Sequence, residues 1–210
     1  MEFKDRRDAG RLLANALGAW RGRSDLLVLG LPRGGVPVAW EVAQSLRAPL
    51  DVLVVRKLGF PGQEEFAMGA IASGGVRVMG DIDGAWPVSE RAVEAVVTRE
   101  QAELARRERL YRGERAPLAL AGKVVLLIDD GLATGATMCA AVKAARMGQP
   151  QRIVVAVPVA SREAVQSVGA LADEVVCVST PEHFRAVGLW YEDFGQTSDE
   201  EVCELLRRPS

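Results

Sequence analysis

Most of what this sequence reveals about its fold starts from Val124-Val-Leu-Leu-Ile-Asp-Asp-Gly-Leu-Ala-Thr-Gly-Ala-Thr137. The apolar residues at its start predict a buried strand, and two carboxylates stand at the carboxyl end of that strand. A turn of small residues follows and leads into a helical pattern from Thr137 to about Met147. Open α/β sheets bind ligands just outside the carboxyl ends of their strands. The stretch therefore predicts an α/β fold with a ligand site at this position.

The turn and the two acids suit different chemical groups. The amides of the turn and of the first helical turn have no partner inside the helix and lie at its positive end, which favours a phosphate. Asp129 and Asp130 suit the vicinal hydroxyls of a ribose or a hydrated Mg²⁺. A phosphate beside a ribose diol is a 5-phosphoribosyl group.

Residues Ile128-Asp-Asp-Gly-Leu-Ala-Thr-Gly-Ala-Thr137 resemble the signature by which type I phosphoribosyltransferases bind phosphoribosyl pyrophosphate (PRPP). A lone Asp-Asp pair is most often a solvated turn, but the strand before it and Thr-Gly-Ala-Thr after it favour the functional interpretation. The resemblance implies that Asp129 and Asp130 are catalytic, bind the ribose hydroxyls and hold Mg²⁺. It also implies a turn that binds the 5-phosphate and its surroundings, formed by Gly131, Ala133, Thr134, Gly135, Ala136 and Thr137.

A second motif, Leu29-Gly-Leu-Pro-Arg-Gly-Gly35, follows an earlier apolar run and opens a helical pattern. Gly34 and Gly35 let the backbone approach an anion closely, and Arg33 offers a fork of donors that fits phosphate oxygens. Taken alone, the motif could be a plain strand-to-helix turn. The resemblance implies that this loop binds the diphosphate of PRPP, and it places a cis peptide bond at Pro32–Arg33.

Two basic residues, Arg56 and Lys57, end the next apolar run. Two cations at the end of a strand in this crevice would neutralise a diphosphate, although surface residues at a strand end are the simpler explanation. Family members carry a basic residue here against the diphosphate, so the resemblance implies this role for Arg56 and Lys57. Lys57 is thereby a catalytic candidate beside Asp129 and Asp130.

Apolar runs alternate with helical patterns, which predicts a Rossmann-like, mostly parallel sheet with helices on both faces. The predicted strands are 26–29, 51–55, 124–128, 153–159 and 174–178, and the predicted helices are 7–20, 34–46, 89–111, 137–147 and 161–171. Residues 67–71 and 76–79 predict a β-hairpin.

The predictions place the whole chain, 1–210, in a single domain with a core of about 24–180. The resemblance adds a small hood from about 1–20 and 181–210. It also implies a flexible lid within the hairpin and long helix of about 64–112, with 72–90 as the lid candidate.

Composition narrows the classes of partner. The chain has 210 residues, is 49% hydrophobic and carries a net charge of −2, so a nucleic-acid partner is not expected. The charged N-terminus lacks the apolar core of a signal peptide, and no apolar run is long enough for a membrane span. We therefore expect a cytoplasmic protein without a membrane partner. Monomer and homodimer both stay open.

The function implied by the resemblance is transfer of 5-phosphoribosyl from PRPP to a nitrogenous base, with Mg²⁺ and release of pyrophosphate, as in nucleotide salvage. The acceptor stays open, because Ala133 stands where enzymes for 6-oxopurines carry an acid. The whole chain resembles bacterial phosphoribosyltransferase-like proteins whose acceptor is poorly defined. A non-catalytic PRPP-sensing regulatory domain is the alternative. A nucleotide hydrolase or kinase is disfavoured because the Gly-x-x-x-x-Gly-Lys-[Ser/Thr] and Gly-x-Ser-x-Gly motifs are absent.

Overall fold

The computed structural model describes residues 2–80 and 89–208. The strands are β1 (Leu26–Gly30), β2 (Leu50–Val52), β3 (Val55–Phe60), β4 (Gln63–Ala72), β5 (Val76–Met79), β6 (Val124–Ile128), β7 (Arg152–Val159) and β8 (Glu174–Ser179). The helices are α1 (Arg6–Ala16), α2 (Gly35–Leu46), α3 (Glu90–Arg112), α4 (Ala136–Met147), α5 (Arg162–Gly169) and α6 (Asp199–Arg207). Short 3₁₀ helices cover Gly18–Trp20 and Val187–Trp190.

The central sheet has five parallel strands in the order β2-β1-β6-β7-β8. Strand β6 lies in the middle and is buried on both faces. Val124, Leu126 and Ile128 pack toward α1 and α2, whereas Val125 and Leu127 pack toward α4 and α5. A strand covered on both faces consists of a continuous apolar run, which is why the sequence alone predicted this strand. The predicted parallel sheet with helices on both faces is confirmed.

A second, antiparallel sheet has the order β3-β4-β5. Its β4 and β5 confirm the predicted hairpin, but its third strand, β3, was not predicted. The predicted strand 51–55 was wrong at its end, because the chain leaves the central sheet after Val52. Val54 donates its N–H to Ser73 Oγ at 3.0 Å, and the Ser73 N–H donates to the Val54 carbonyl at 2.9 Å. These two bonds pull the chain toward the small sheet.

The two ends of the chain meet beside the central sheet. Phe3 forms a parallel bridge with Tyr191, and its N–H donates to the Trp190 carbonyl at 2.8 Å. The chain then continues into α6, a helix that the sequence did not predict. Val202, Leu205 and Leu206 of this helix are buried in the same cluster as residues of α2 and α3.

The strand order places the two predicted loops next to each other. The chain turns from β1 outward to β2 and later returns to the other side of β1 with β6, and ligands bind in the crevice where the strand order reverses in this way. Of the lid candidate, 72–80 complete the small sheet and 81–88 lie outside the described residues. Within the described part of the chain, no helix is long and apolar enough to cross a membrane.

Candidate functional site

The loop after β1 (residues 31–35, the glycine loop) packs directly against Asp129 and Asp130, the acid pair. A Cβ atom on Gly34 would lie 2.0 Å from Asp130 Oδ2, and one on Gly35 would lie 2.6 Å from the Ile128 carbonyl oxygen. The peptide bond between Pro32 and Arg33 is cis, as expected. The two glycines are therefore required for contact between the loops, besides any approach of a ligand.

The acid pair is partly buried, and two neighbouring carboxylates are electrostatically unfavourable by themselves. Burial raises the pKa of Asp129 well above its usual value, and the charge of Asp130 raises it further. Asp129 Oδ1 accepts a hydrogen bond from the Asp130 N–H at 2.9 Å. Burial also raises the pKa of Asp130. Such a pair favours a positively charged partner. Mg²⁺ is commonly held by one or two carboxylates together with water and substrate oxygens, so this donor set fits the ion.

A positive partner for the acid pair comes from α1 and was missed in the sequence. Arg6 Nε donates to Asp130 Oδ2 at 2.8 Å, with both side chains largely buried. Arg6 Nη1 also donates to the Gly195 carbonyl at 2.6 Å, and its guanidinium lies 4.0 Å from the centre of the Phe194 ring. No local motif marks Arg6, because its partner is 124 positions away.

The tail covers the acid pair from the same side. The Tyr191 hydroxyl donates to the Asp130 carbonyl at 2.5 Å, and burial raises the pKa of Tyr191, so this hydroxyl keeps its proton. Tyr191 packs against Phe3 with ring centres 5.3 Å apart. Val187 lies so close to Gly131 that a Cβ atom there would be 2.6 Å from its Cγ1. Of the aromatic residues in the tail, Tyr191 is thus an anchor of the structure.

The turn before α4 has the shape expected of an anion site. Gly135 has a φ of +75° and directly precedes the helix, a conformation that favours glycine. The Ser161 hydroxyl donates to the Ala133 carbonyl at 2.7 Å and thereby stabilises the turn. Thr134 and Thr137 are exposed. The Ala136 N–H donates to Thr134 Oγ1 at 3.4 Å. The other N–H groups of the first turn of α4 have no partner inside the helix, so this end of the helix suits an anion.

Arg56 and Lys57 lie in β3 and share a cavity of about 310 Å³ with Thr137. Arg56 donates through Nε and Nη2 to Glu100 Oε2 at 2.9 and 2.6 Å. Glu100 belongs to α3 and is only 7% exposed. The sequence held a signal for it, since an acid at this position interrupts the apolar stripe that Val96 and Leu104 define.

Arg33 takes a different direction from Arg56 and Lys57. Its Nη1 lies 3.8 Å from Asp199 Oδ1 at the start of α6. The same oxygen accepts a hydrogen bond from the Tyr111 hydroxyl at 2.5 Å. The structure thus gathers the acid pair with the glycine loop, and Arg56 and Lys57 with Thr137, while the Arg33 side chain lies between α3 and α6.

The model of the phosphoribosyl transferase domain family matches residues 3–192 of this chain. The chain belongs to this family. The match includes the acid pair, the glycine loop and both basic residues of β3, and it confirms the resemblance that the signature carried. Helix α6 lies beyond the matched residues.

Individual relatives agree with the family match. A Mycobacterium tuberculosis protein named "Putative phosphoribosyl transferase" is 49% identical over 207 residues, which make up 98% of this chain and 46% of that protein. The chain therefore spans about half the length of the curated relatives it matches. The crystal structure of the protein TT1426 from Thermus thermophilus is 48% identical with a TM-score of 0.86, and 98% of each chain is covered.

A more distant neighbour shows how far the family fold extends. A hypothetical protein from Neisseria gonorrhoeae, solved with bound ppGpp, is 16% identical with a TM-score of 0.51. The similarity covers 98% of this chain and 97% of the other. At this level of identity, it shows a shared fold alone.

Proposed function

We propose that this protein transfers the 5-phosphoribosyl group of PRPP to a nitrogenous base and releases pyrophosphate. One observation carries the proposal. At the point where the strand order reverses, a partly buried acid pair packs against a glycine loop and precedes the N-terminus of a helix, with basic residues nearby. This arrangement offers matching partners for a ribose diol, a phosphate and a diphosphate on one ligand.

Each part of the site has a role in this proposal. The amides and hydroxyls of residues 134–137 hold the 5-phosphate, which supplies binding energy remote from the reacting carbon. Asp129 and Asp130 orient the ribose through its hydroxyls. The glycine loop, and Arg56 with Lys57, bind the diphosphate. Arg33 joins them only if its side chain turns away from Asp199. Positive charge around the departing group lowers the barrier because the reaction builds negative charge there.

The proposed reaction depends on Mg²⁺. When bound, the ion would neutralise the diphosphate and raise its ability to leave. Asp129 and Asp130 would hold it, directly or through water. The Nε atom of Arg6 already lies against one of these carboxylates, so Arg6 and the ion share an interaction partner.

The acceptor is assigned only to the class of nitrogenous bases. Ala133 supplies no carboxylate at the position where 6-oxopurine enzymes carry one, which disfavours hypoxanthine, guanine and xanthine bound in that way. The segment around Val187 and Tyr191 covers the acid pair. An acceptor that approaches from this side would therefore displace or reshape the tail.

The proposal is tested by measuring pyrophosphate release from PRPP and Mg²⁺ across a panel of nucleobases and related amines. Asp130→Asn is the control, because it removes one charge of the acid pair and keeps the shape of the side chain. Release that requires one acceptor and is lost in Asp130→Asn is the expected result. PRPP binding without release for any acceptor would instead favour a sensor domain, and absence of PRPP binding would refute both.

A further inference from the structure

Helix α3 carries a buried acid in the middle of its apolar face. Val96, Val97 and Leu104 point into the core, and Glu100 between them is only 7% exposed. A carboxylate removed from water is strongly unfavourable unless it is paired and hydrogen-bonded. The side chains that pair with Glu100 therefore explain why it stands here.

Glu100 divides its two oxygens between arginines of two different elements. Oε2 accepts from Arg56 Nε and Nη2 at 2.9 and 2.6 Å, and Oε1 accepts from Arg99 Nε at 3.0 Å. One buried carboxylate thus holds a guanidinium of β3 and a guanidinium of α3 side by side. Two like charges kept this close together favour an anion between or above them.

Both arginines line the cavity of about 310 Å³ that also contains Lys57, Glu100 and Thr137. Three cations and one anion leave this cavity with a positive surplus, and Thr137, which also lines it, belongs to the phosphate turn. Guanidinium groups match phosphate oxygens in charge and in the geometry of their donors. A multiply charged phosphate group is therefore the ligand class that fits.

We infer that Arg99 is a further ligand of the diphosphate of PRPP and that Glu100 positions Arg99 together with Arg56. The inference rests on the proposed function. The cavity is assigned to the diphosphate for two reasons. The 5-phosphate has its own proposed site in the turn 134–137. Arg56 and Lys57 come shortly after β2, which pairs with β1, the strand that leads into the glycine loop. No sequence motif marks Arg99, since its neighbours on α3 include several arginines of the solvated face.

Helix α3 offers a matched control in Arg106. The side chains of Arg99 and Arg106 are each 56% exposed, and each donates through Nε to a glutamate. The partner of Arg106 is Glu103, whose pKa is lowered to about 2 by hydrogen bonds from Arg106 and Arg107. Arg106 does not line the cavity. Arg106→Gln therefore controls for the loss of a half-exposed arginine of α3 whose Nε donates to a glutamate.

The experiment is titration calorimetry with Mg²⁺ and three probes, namely PRPP, inorganic pyrophosphate and ribose 5-phosphate. Arg99→Gln is expected to weaken PRPP and pyrophosphate binding by about tenfold or more, as the loss of a charge-assisted hydrogen bond predicts. Ribose 5-phosphate should bind Arg99→Gln as it binds the wild type, and Arg106→Gln should bind all three probes normally. Weaker ribose 5-phosphate binding with unchanged pyrophosphate binding would assign the cavity to the 5-phosphate and overturn the inference.

Glu100→Gln tests the positioning role separately. This change makes the cavity more positive, so attraction by charge alone predicts tighter pyrophosphate binding. If Glu100 positions the two arginines, pyrophosphate binding becomes weaker in spite of the added positive charge, while ribose 5-phosphate binding and the melting temperature show that the fold persists. Unchanged or tighter pyrophosphate binding would overturn the positioning role.

The outcomes separate this inference from the proposed function. A wild-type protein that binds neither PRPP nor pyrophosphate would refute the proposed function and the inference together. A wild-type protein that binds both, with Arg99→Gln equal to Arg106→Gln, would refute the inference alone.

Discussion

Single atoms decide how the glycine loop fits against the acid pair. The position of a Cβ atom on Gly34 is filled by the carboxylate of Asp130, 2.0 Å away, and Arg6 Nε lies 3.2 Å from it. Glycine at position 34 is thus explained by an internal contact, whatever ligand the loop binds. The same contact transmits any movement of Asp130 to the loop.

We expect Gly34→Ala to lower the free energy of unfolding by about 1–3 kcal/mol, the usual cost of forcing an extra group into a packed site. It should also weaken Mg²⁺-PRPP binding, because Asp130 has to move. Thermal unfolding and calorimetry measure the two effects. Gly18→Ala is the control, since nothing lies within 4 Å of a Cβ atom at that position. Equal stability of the two variants would show that the loop adapts without strain.

We expect the charge of Asp129 to lower the stability of the folded protein while it supports ligand binding. We expect Asp129→Asn to raise the melting temperature in the absence of ligand and to abolish Mg²⁺-PRPP binding. Asparagine keeps the acceptor for the Asp130 N–H and removes a charge from a partly buried site. In a domain of this size, each ~1 kcal/mol regained raises the melting temperature by about 2–4 °C.

The pH dependence of that comparison follows from the sign of the shift. The pKa of Asp129 is raised in the folded state, so the folded protein binds the proton more tightly than the unfolded chain does. Stability from this group is present at low pH and is lost as pH rises from the unfolded toward the folded pKa. The advantage of Asp129→Asn should therefore be absent in acid and grow toward neutral pH. An advantage independent of pH would contradict this explanation.

At the level of elements, local sequence patterns predicted the elements that local interactions stabilise. Strand β6 could be predicted because both of its faces are buried. The start of α3 could be predicted because the Ser89 hydroxyl accepts from the Ala92 N–H and caps the helix. The split between β2 and β3 was missed because it depends on Ser73, 19 positions beyond Val54. A hydrogen bond between residues this far apart in the sequence cannot be predicted from local sequence patterns.

Helix α6 was missed for a related reason. Its nine residues carry several charges, and only Val202, Leu205 and Leu206 are buried. Such a short helix is marginal by itself and depends on the apolar surface of α2 and α3. That surface exists only after the rest of the chain has folded.

Leu205→Ala tests this dependence of α6 on packing. Leu205 is 1% exposed, so we expect the free energy of unfolding to fall by about 2–5 kcal/mol, measured as a lower urea midpoint with an unchanged slope. Glu204→Ala on the exposed side of the same helix removes only a surface ion pair with Arg208 and should change it by less than about 1 kcal/mol. A small effect of Leu205→Ala would mean that α6 adds little to the fold.

At the scale of the whole molecule, three charged groups of the candidate site already have internal partners from distant elements. Asp130 is paired with Arg6 of α1, Arg56 with Glu100 of α3, and Arg33 lies 3.8 Å from Asp199 of α6. A ligand must replace or join these partners. The sequence pointed to these charged groups as candidates, but not to their partners, because each pair forms only in the tertiary fold.

The pair formed by Arg6 and Asp130 gives the sharpest test of this competition. A guanidinium and Mg²⁺ repel each other, and Arg6 Nε occupies an oxygen of a carboxylate that would hold the ion. We therefore expect Arg6→Gln to lower severalfold the Mg²⁺ concentration needed for half-maximal PRPP binding, measured by calorimetry. Hydrogen exchange should also become faster around Gly195, whose carbonyl loses its bond to Arg6.

Arg7→Gln is the matched control for that experiment. Arg7 is the next residue of the same helix, lies 4.0 Å from Glu41 and packs over Trp40, so its loss should leave the Mg²⁺ requirement unchanged. If Arg6→Gln instead weakened PRPP binding at every Mg²⁺ concentration, Arg6 would be a ligand of PRPP rather than a competitor of the ion. An unchanged requirement in both variants would mean that Asp130 keeps Arg6 while PRPP binds, and that Asp129 alone holds the ion.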